Sequence, residues 1–285
     1  MKIRLLSIGL LSIASFLLLI SSCKMPNDGI PLYMRMDSVQ VNTSSGQGSN
    51  SHNITDVWVE ANADNVGAFG VPCNIPVLQE NDVRFVVSAG VKESGQSGVR
   101  VIYPFYTTDT FSIVGVRGEH YSHKPVFTYV TGTQFAFTEN FDLTNGFEPL
   151  NTSITLASSP DVDPVYGGSR CLKLTVSAAD SNEMATTIDT FDLPEGLEIW
   201  LEVDYKSEVP FYIGFNGYFK GSNTAYPVPV LFVNAQPKWN KVYVKLSSLM
   251  GNLRADTYKI YFEALRPYGT SGGNVYIDNV KLVHF

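Results

Sequence analysis

Residues 197–207, LEIWLEVDYKS, change character at every step. Ile199, Leu201, Val203 and Tyr205 fall on one side of an extended chain, and Trp200, Glu202 and Asp204 on the other. A period of two is that of a β-strand. The pattern recurs in PFYIGFNGYF (210–219), where Phe211, Ile213 and Phe215 oppose Tyr212, Asn216 and Tyr218. In KVYVKL (241–246), Val242, Val244 and Leu246 oppose Tyr243; in KIYFEAL (259–265), Ile260, Phe262 and Ala264 oppose Tyr261 and Glu263. No stretch sustains a helical period, and Gly, Pro, Asn and Asp separate the alternating runs. The expected fold class is all-β, with two β-sandwich domains sharing about 260 residues.

Each of these strands has an apolar inner face and an outer face that mixes aromatics with acids and amides. If the strands are neighbours, Trp200, Glu202, Asp204, Tyr212, Asn216, Tyr261 and Glu263 line one shallow groove. Rings stack on the C–H faces of sugars, while carboxylates and amides accept hydroxyl protons, so this is a candidate glycan-binding face. Tyr and Trp also anchor protein interfaces. The competing reading is therefore an outer face covered by a loop, by the other domain or by a partner protein. A one-residue slip would invert the two faces.

The N-terminus is of another kind. Met-Lys-Ile-Arg is followed by an apolar run from Leu5 to Ile20 that ends in small residues. That is the layout of an export signal, too short for a comfortable membrane span. Ile20-Ser21-Ser22-Cys23 resembles the bacterial lipobox, which implies cleavage of residues 1–22 and a diacylglycerol on Cys23. Acyl chains of this kind hold a domain at a bilayer. Residues 23–51, rich in Ser, Gly and Asn, are expected to form a lipidated tether. Within it LYMRMDSVQV (32–41) is a candidate first strand, and Asp37-Ser38-Val39 resembles a short O-glycosylation signal.

Two further resemblances divide the rest. Residues 30–136 contain DVWVEA, AFGVPCNIPVL, NDVRFVVSAGV and RVIYPFY. They resemble immunoglobulin-like or PEGA-like modules and the N-terminal part of outer-membrane lipoproteins of the Bacteroidota. Pro72, Pro76 and Pro104 are expected at edges or strand ends, since proline donates no ladder bond. Residues 137–285 contain FTENFD, VYGGSRCLKLTV, PKWNKVYVKLSSL and NVYIDNVKLV, in an order similar to that of carbohydrate-binding, galactose-binding-like jelly rolls. That resemblance implies a structural calcium ion at Glu139, Asp142 and Asp278, a set of hard oxygen ligands.

Composition closes off other classes. The net charge is −7, and removal of Lys2 and Arg4 with the signal takes it to −9. Phosphate neutralisation needs clustered Lys and Arg, so nucleic acid is not an expected partner. Cys73 and Cys171 suit buried apolar positions, with a disulfide as the alternative. His52, His120, His123 and His284 are scattered, without a metal-ligand spacing. Glu202 and Asp204 stand about 7 Å apart along one strand face, a spacing glycosidases use across a cleft. Acidic strands produce it by chance, and no nucleophile or phosphate motif accompanies it, so an enzyme is not expected. No cofactor is required beyond the lipid. The reading that follows is an outer-membrane lipoprotein facing the cell exterior, a non-catalytic accessory subunit docked on an outer-membrane β-barrel protein. A surface glycan-binding lipoprotein is the alternative.

Overall fold

The computed structural model describes residues 29–150, 155–158, 168–222 and 224–285. The segment expected as export signal, Cys23 and the 159–167 segment with Asp161 and Asp163 lie outside the described residues. The first ten strands are β1 (Leu32–Met36), β2 (Gln40–Asn42), β3 (Asp56–Ala61), β4 (Asp64–Gly70), β5 (Cys73–Val77), β6 (Asn81–Lys92), β7 (Arg100–Ile102), β8 (Asp109–Gly115), β9 (His120–Ser122) and β10 (Val126–Thr128). There follow β11 (Gln134–Glu139), β12 (Phe147–Pro149), β13 (Thr155–Ser158), β14 (Arg170–Ser177), β15 (Asn182–Thr187), β16 (Ile199–Ser207), β17 (Phe211–Tyr218), β18 (Tyr226–Val233), β19 (Gln236–Lys245), the short helix α1 (Ser247–Leu253), β20 (Thr257–Leu265) and β21 (Gly272–His284). The chain is all-β and forms two sandwiches.

In the first sandwich β4, β3, β6 and β7 form one sheet, joined by β8 on β6. Facing it are β5-β1-β9 and the short pair β10-β2. Alternate residues of β1, β3 and β6 (Met34 and Met36, Val57 and Val59, Phe85 and Val87) fill the space between. The β3–β4 turn is two residues, Asn62 and Ala63, both with positive φ, the geometry of a tight hairpin. Asn62 stabilises it by accepting the Arg84 amide at 2.8 Å. The chain then leaves the sheet after Gly70, and Pro76 lies in β5 at the edge of the facing sheet.

Within the stretch expected as tether, Leu32–Met36 and Gln40–Asn42 are strands. β1 pairs with β5 and β9, β2 pairs with β10, and residues 49–53 are tied to the second sandwich by hydrogen bonds. Buried Met34, Met36 and Val41 supply the reason: alternation there outweighs a polar composition.

In the second sandwich the order β13-β14-β21-β16-β19, with β11 also on β21, makes a six-stranded sheet. It faces the five-stranded sheet β12-β15-β20-β17-β18. β11 opens this unit at Gln134, which pairs with His284. The inner residues expected from alternation, among them Leu201, Val203, Ile213, Phe215, Val244, Ile260 and Phe262, all belong to its core. At about 25 cal/mol per Å² of apolar surface, each such side chain is worth roughly 1.5–3 kcal/mol. Pro227 and Pro229 fall in β18, an edge strand, where missing amide donors also discourage pairing with another chain.

Candidate functional site

The seven residues expected to share a groove occupy two faces that point in opposite directions. Trp200, Glu202 and Asp204 lie on β16 in the six-stranded sheet, whereas Tyr212 and Asn216 (β17) and Tyr261 and Glu263 (β20) lie in the five-stranded sheet. One groove would need β16 to neighbour β17 or β20. Its partners are β19 and β21.

The outer face of the six-stranded sheet is covered by the first sandwich. Trp200, Tyr243 and Val283 join that sandwich's core, packed with Tyr103, Phe105, Tyr106 and Tyr129. Tyr103 meets Trp200 edge-on at 5.4 Å and Tyr243 at 4.9 Å between ring centroids. The Ser94 amide donates to the Tyr243 carbonyl at 2.7 Å. Trp200 is 1% exposed and donates its indole N–H to Glu198 at 2.8 Å, so it offers no stacking surface.

Buried charges run through this seam. Glu202 Oε1 accepts the hydroxyls of Tyr103 and Tyr129, each at 2.7 Å, and its Oε2 lies 3.3 Å from Lys241 Nζ. Lys241 also approaches Asp204 at 3.4 Å, and Asp204 accepts from Ser51 and Asn279. Lys281 donates to the Ser49 carbonyl and to the Tyr129 hydroxyl. Burial opposes the charge on Glu202, but Lys241, Lys281 and the two tyrosines outweigh it and hold its pKa below the usual value. Held this way, Glu202 and Asp204 are not a cleft pair for glycoside chemistry. Sequence reasoning passed over Tyr103, Tyr129, Lys241, Lys281 and Ser51. The aromatic density of RVIYPFY was the available signal.

The outer face of the five-stranded sheet is built differently. Glu263, Tyr212 and Phe232 stand directly across from one another on β20, β17 and β18. Tyr212 and Phe232 meet edge-on at 5.2 Å, and Phe232 is 46% exposed. Asn182 donates its amide to Glu263 at 2.6 Å, which orients the carboxylate. Tyr261 lies over Gly214: a Cβ there would stand 2.2 Å from the Tyr261 Cζ. Burial, then Glu263 and Tyr212, push its phenol up to about 12. Tyr261 and Asn216 are both buried and shape the floor rather than a contact surface. Lys259 and Glu148 close one side at 2.9 Å.

Of the residues expected to hold calcium, Asp142 and Asp278 line one cavity together with Asn140 and Asn279, and Glu139 lines a neighbouring one. Glu139 is saturated by the amides of Phe141 and Gly146, both at 2.7 Å, and by the Thr144 hydroxyl. Asp142 accepts from the Ser169 amide and hydroxyl and the Arg170 amide. Asp278, in β21, accepts its neighbour's amide and faces Asp204 across the register. Among the described residues no three His, Cys, Asp or Glu side chains form a group able to hold a metal ion.

No protein-family model matches this sequence, and no curated protein matches it. Solved structures similar to the chain include one described as showing the promiscuous specificity of carbohydrate-binding modules of the β-sandwich superfamily. It has a TM-score of 0.41 and 12% identity, over 90% of this chain and 99% of that one. A xylan-binding domain of carbohydrate-binding module family 22 has a TM-score of 0.37 and 16% identity, over 52% and 93%. The module and catalytic segment of a Clostridium thermocellum endo-xylanase, complexed with xylohexaose, has a TM-score of 0.37 and 13% identity over 52% of this chain. This chain spans 28% of the length of that xylanase structure.

Proposed function

We propose that this protein is a non-catalytic, lipid-anchored glycan-binding protein that holds a sugar chain on the outer face of its five-stranded sheet. The observation that carries the reading is the cross-strand row Glu263–Tyr212–Phe232. Two rings offer flat apolar surface, and an oriented carboxylate beside them accepts hydroxyl protons. Buried Tyr261 and Asn216 keep that row in place. The first sandwich, docked on the opposite sheet, leaves this face open and leads back toward Cys23, whose acyl chains would anchor the molecule to the outer membrane at the cell surface.

A glycan array probed with the full chain tests the reading. One or more polysaccharides should bind, and Tyr212→Ala or Glu263→Gln should weaken that binding by about tenfold or more. An array without a single bound glycan would sink it. Cys23→Ser should move the protein from the detergent phase to the aqueous phase in a Triton X-114 partition.

Docking on an outer-membrane β-barrel protein is favoured by a separate observation. Ile30, Val114 and Val116 are 63%, 69% and 52% exposed on the first sandwich, where the chain leads back to the tether. Exposed apolar clusters of this kind mark contact surfaces. Stoichiometric recovery of a barrel protein in a mild-detergent pull-down would support it, and replacing the two valines with serine should abolish that recovery.

A further inference from the structure

A cavity of about 350 Å³ opens where the two sandwiches meet. One wall is the segment Ser51–His52–Asn53 between β2 and β3. The other is the six-stranded sheet, through Asp204 of β16 and Trp239 and Asn240 of β19. Neither sandwich makes the cavity alone, and its size is at the small end of small-molecule sites.

The polar wall is held rigid by bonds among its own members and to the groups behind them. The Asn53 amide donates to Asn240 Oδ1 at 3.0 Å and to the Lys241 carbonyl at 2.9 Å. The Asn240 amide donates to the Tyr205 hydroxyl at 3.0 Å. Asp204 accepts from Ser51 at 2.5 Å and from Asn279 at 2.9 Å. A wall fixed in advance loses little entropy on binding. The half-buried His52 ring faces the cavity through its atoms other than the buried Nδ1.

The charges at and behind the wall cancel. Lys241 and Lys281 together match Asp204 and Glu202, and burial with Lys241 beside it lowers the His52 pKa, which leaves the ring neutral. An ionic ligand finds no uncompensated charge here. An indole wall, two side-chain amides and an imidazole ring suit a compact ring that carries several hydroxyls.

We propose that this junction cavity is a second binding site, for one neutral sugar ring, separate from the open face of the five-stranded sheet. A ring bound there touches both sandwiches and so stabilises their docking by mass action.

The test is calorimetric titration of the full chain, with thermal melting alongside, using D-glucose, D-galactose, D-mannose, D-xylose, L-fucose and D-glucuronate. At least one neutral sugar should bind saturably and raise the melting temperature. Its affinity should fall about tenfold or more in His52→Ala and in Trp239→Ala. His52→Ala is the safer variant, since Trp239 also packs on Cys171 and Tyr276. Tyr212→Ala should leave this binding unchanged while it weakens binding of polysaccharide, which separates the two sites. The proposal is overturned if no neutral sugar binds. It is equally overturned if D-glucuronate binds tightest, or if binding survives His52→Ala and is lost in Tyr212→Ala.

Discussion

Tyr103 of the first sandwich donates its hydroxyl to Glu202 of the second at 2.7 Å, and both side chains are fully buried. The bond lies in the middle of the seam, with Tyr129, Lys241 and Lys281 around the same carboxylate. A buried ion network adds little net stability, but breaking one member leaves the others uncompensated.

Glu202→Ala should therefore cost about 3–5 kcal/mol in urea unfolding, because two buried ammonium groups lose their partner. Tyr103→Phe removes one neutral donor and should cost about 1 kcal/mol. A loss below 1 kcal/mol for Glu202→Ala would contradict the buried seam.

Stability should pass through a minimum near pH 8. Burial pushes Asp278 up to about 8, against the help of the Asn279 amide, and Asp204 and Asp142 push the same way. Between its ordinary value of 3.8 and 8, the folded chain holds a proton that the unfolded chain has released, so stability falls as pH rises. Burial also lowers Lys281 to about 8, against the pull of Glu202 and Asp204. Between 8 and 10.5 the unfolded chain binds the extra proton, so stability rises again. Thermal melts from pH 4 to 10.5 should show the dip, and Asp278→Asn should flatten its acid side.

Gly214→Ala should disturb the five-stranded face without touching the seam. The new methyl would stand 2.2 Å from Cζ of Tyr261, so the ring must shift. Overpacking of this kind costs roughly 1–3 kcal/mol. Glycan binding should fall with stability, and Gly214→Ala with Tyr261→Ala should recover part of the stability. An unchanged melting temperature in the single variant would refute the placement of the ring over Gly214.

The two remaining thiols should differ in reactivity. Cys73 (β5) and Cys171 (β14) are both unpaired and lie in different sandwiches. Burial, and then Asp278, push Cys171 up to about 12, and the residue is 0% exposed. Cys73 is only half-buried. Maleimide should label Cys73 in the native protein and Cys171 only after denaturation, as read by mass.

Period two identified, residue by residue from Ile199 to Ala264, the side of β16, β17, β19 and β20 that faces the core between the two sheets. It did so because side-chain direction along a strand is a local property of the backbone. LYMRMDSVQV was legible as strand for the same reason, even inside a stretch of tether-like composition. The outer faces were legible as chemistry too: aromatics with carboxylates on each strand.

Their grouping was not. Which strands become neighbours is set by pairing between distant segments, and alternation carries no record of it. Only the tertiary structure separated Trp200, Glu202 and Asp204 from Tyr212 and Glu263 and put them on opposite sheets. It then closed the first set beneath Tyr103 and Tyr129 and left the second on the outer face of the five-stranded sheet. The sequence alone determined what each face is made of. The fold decided which face meets solvent, because burial depends on what packs against a surface and not on the residues that line it.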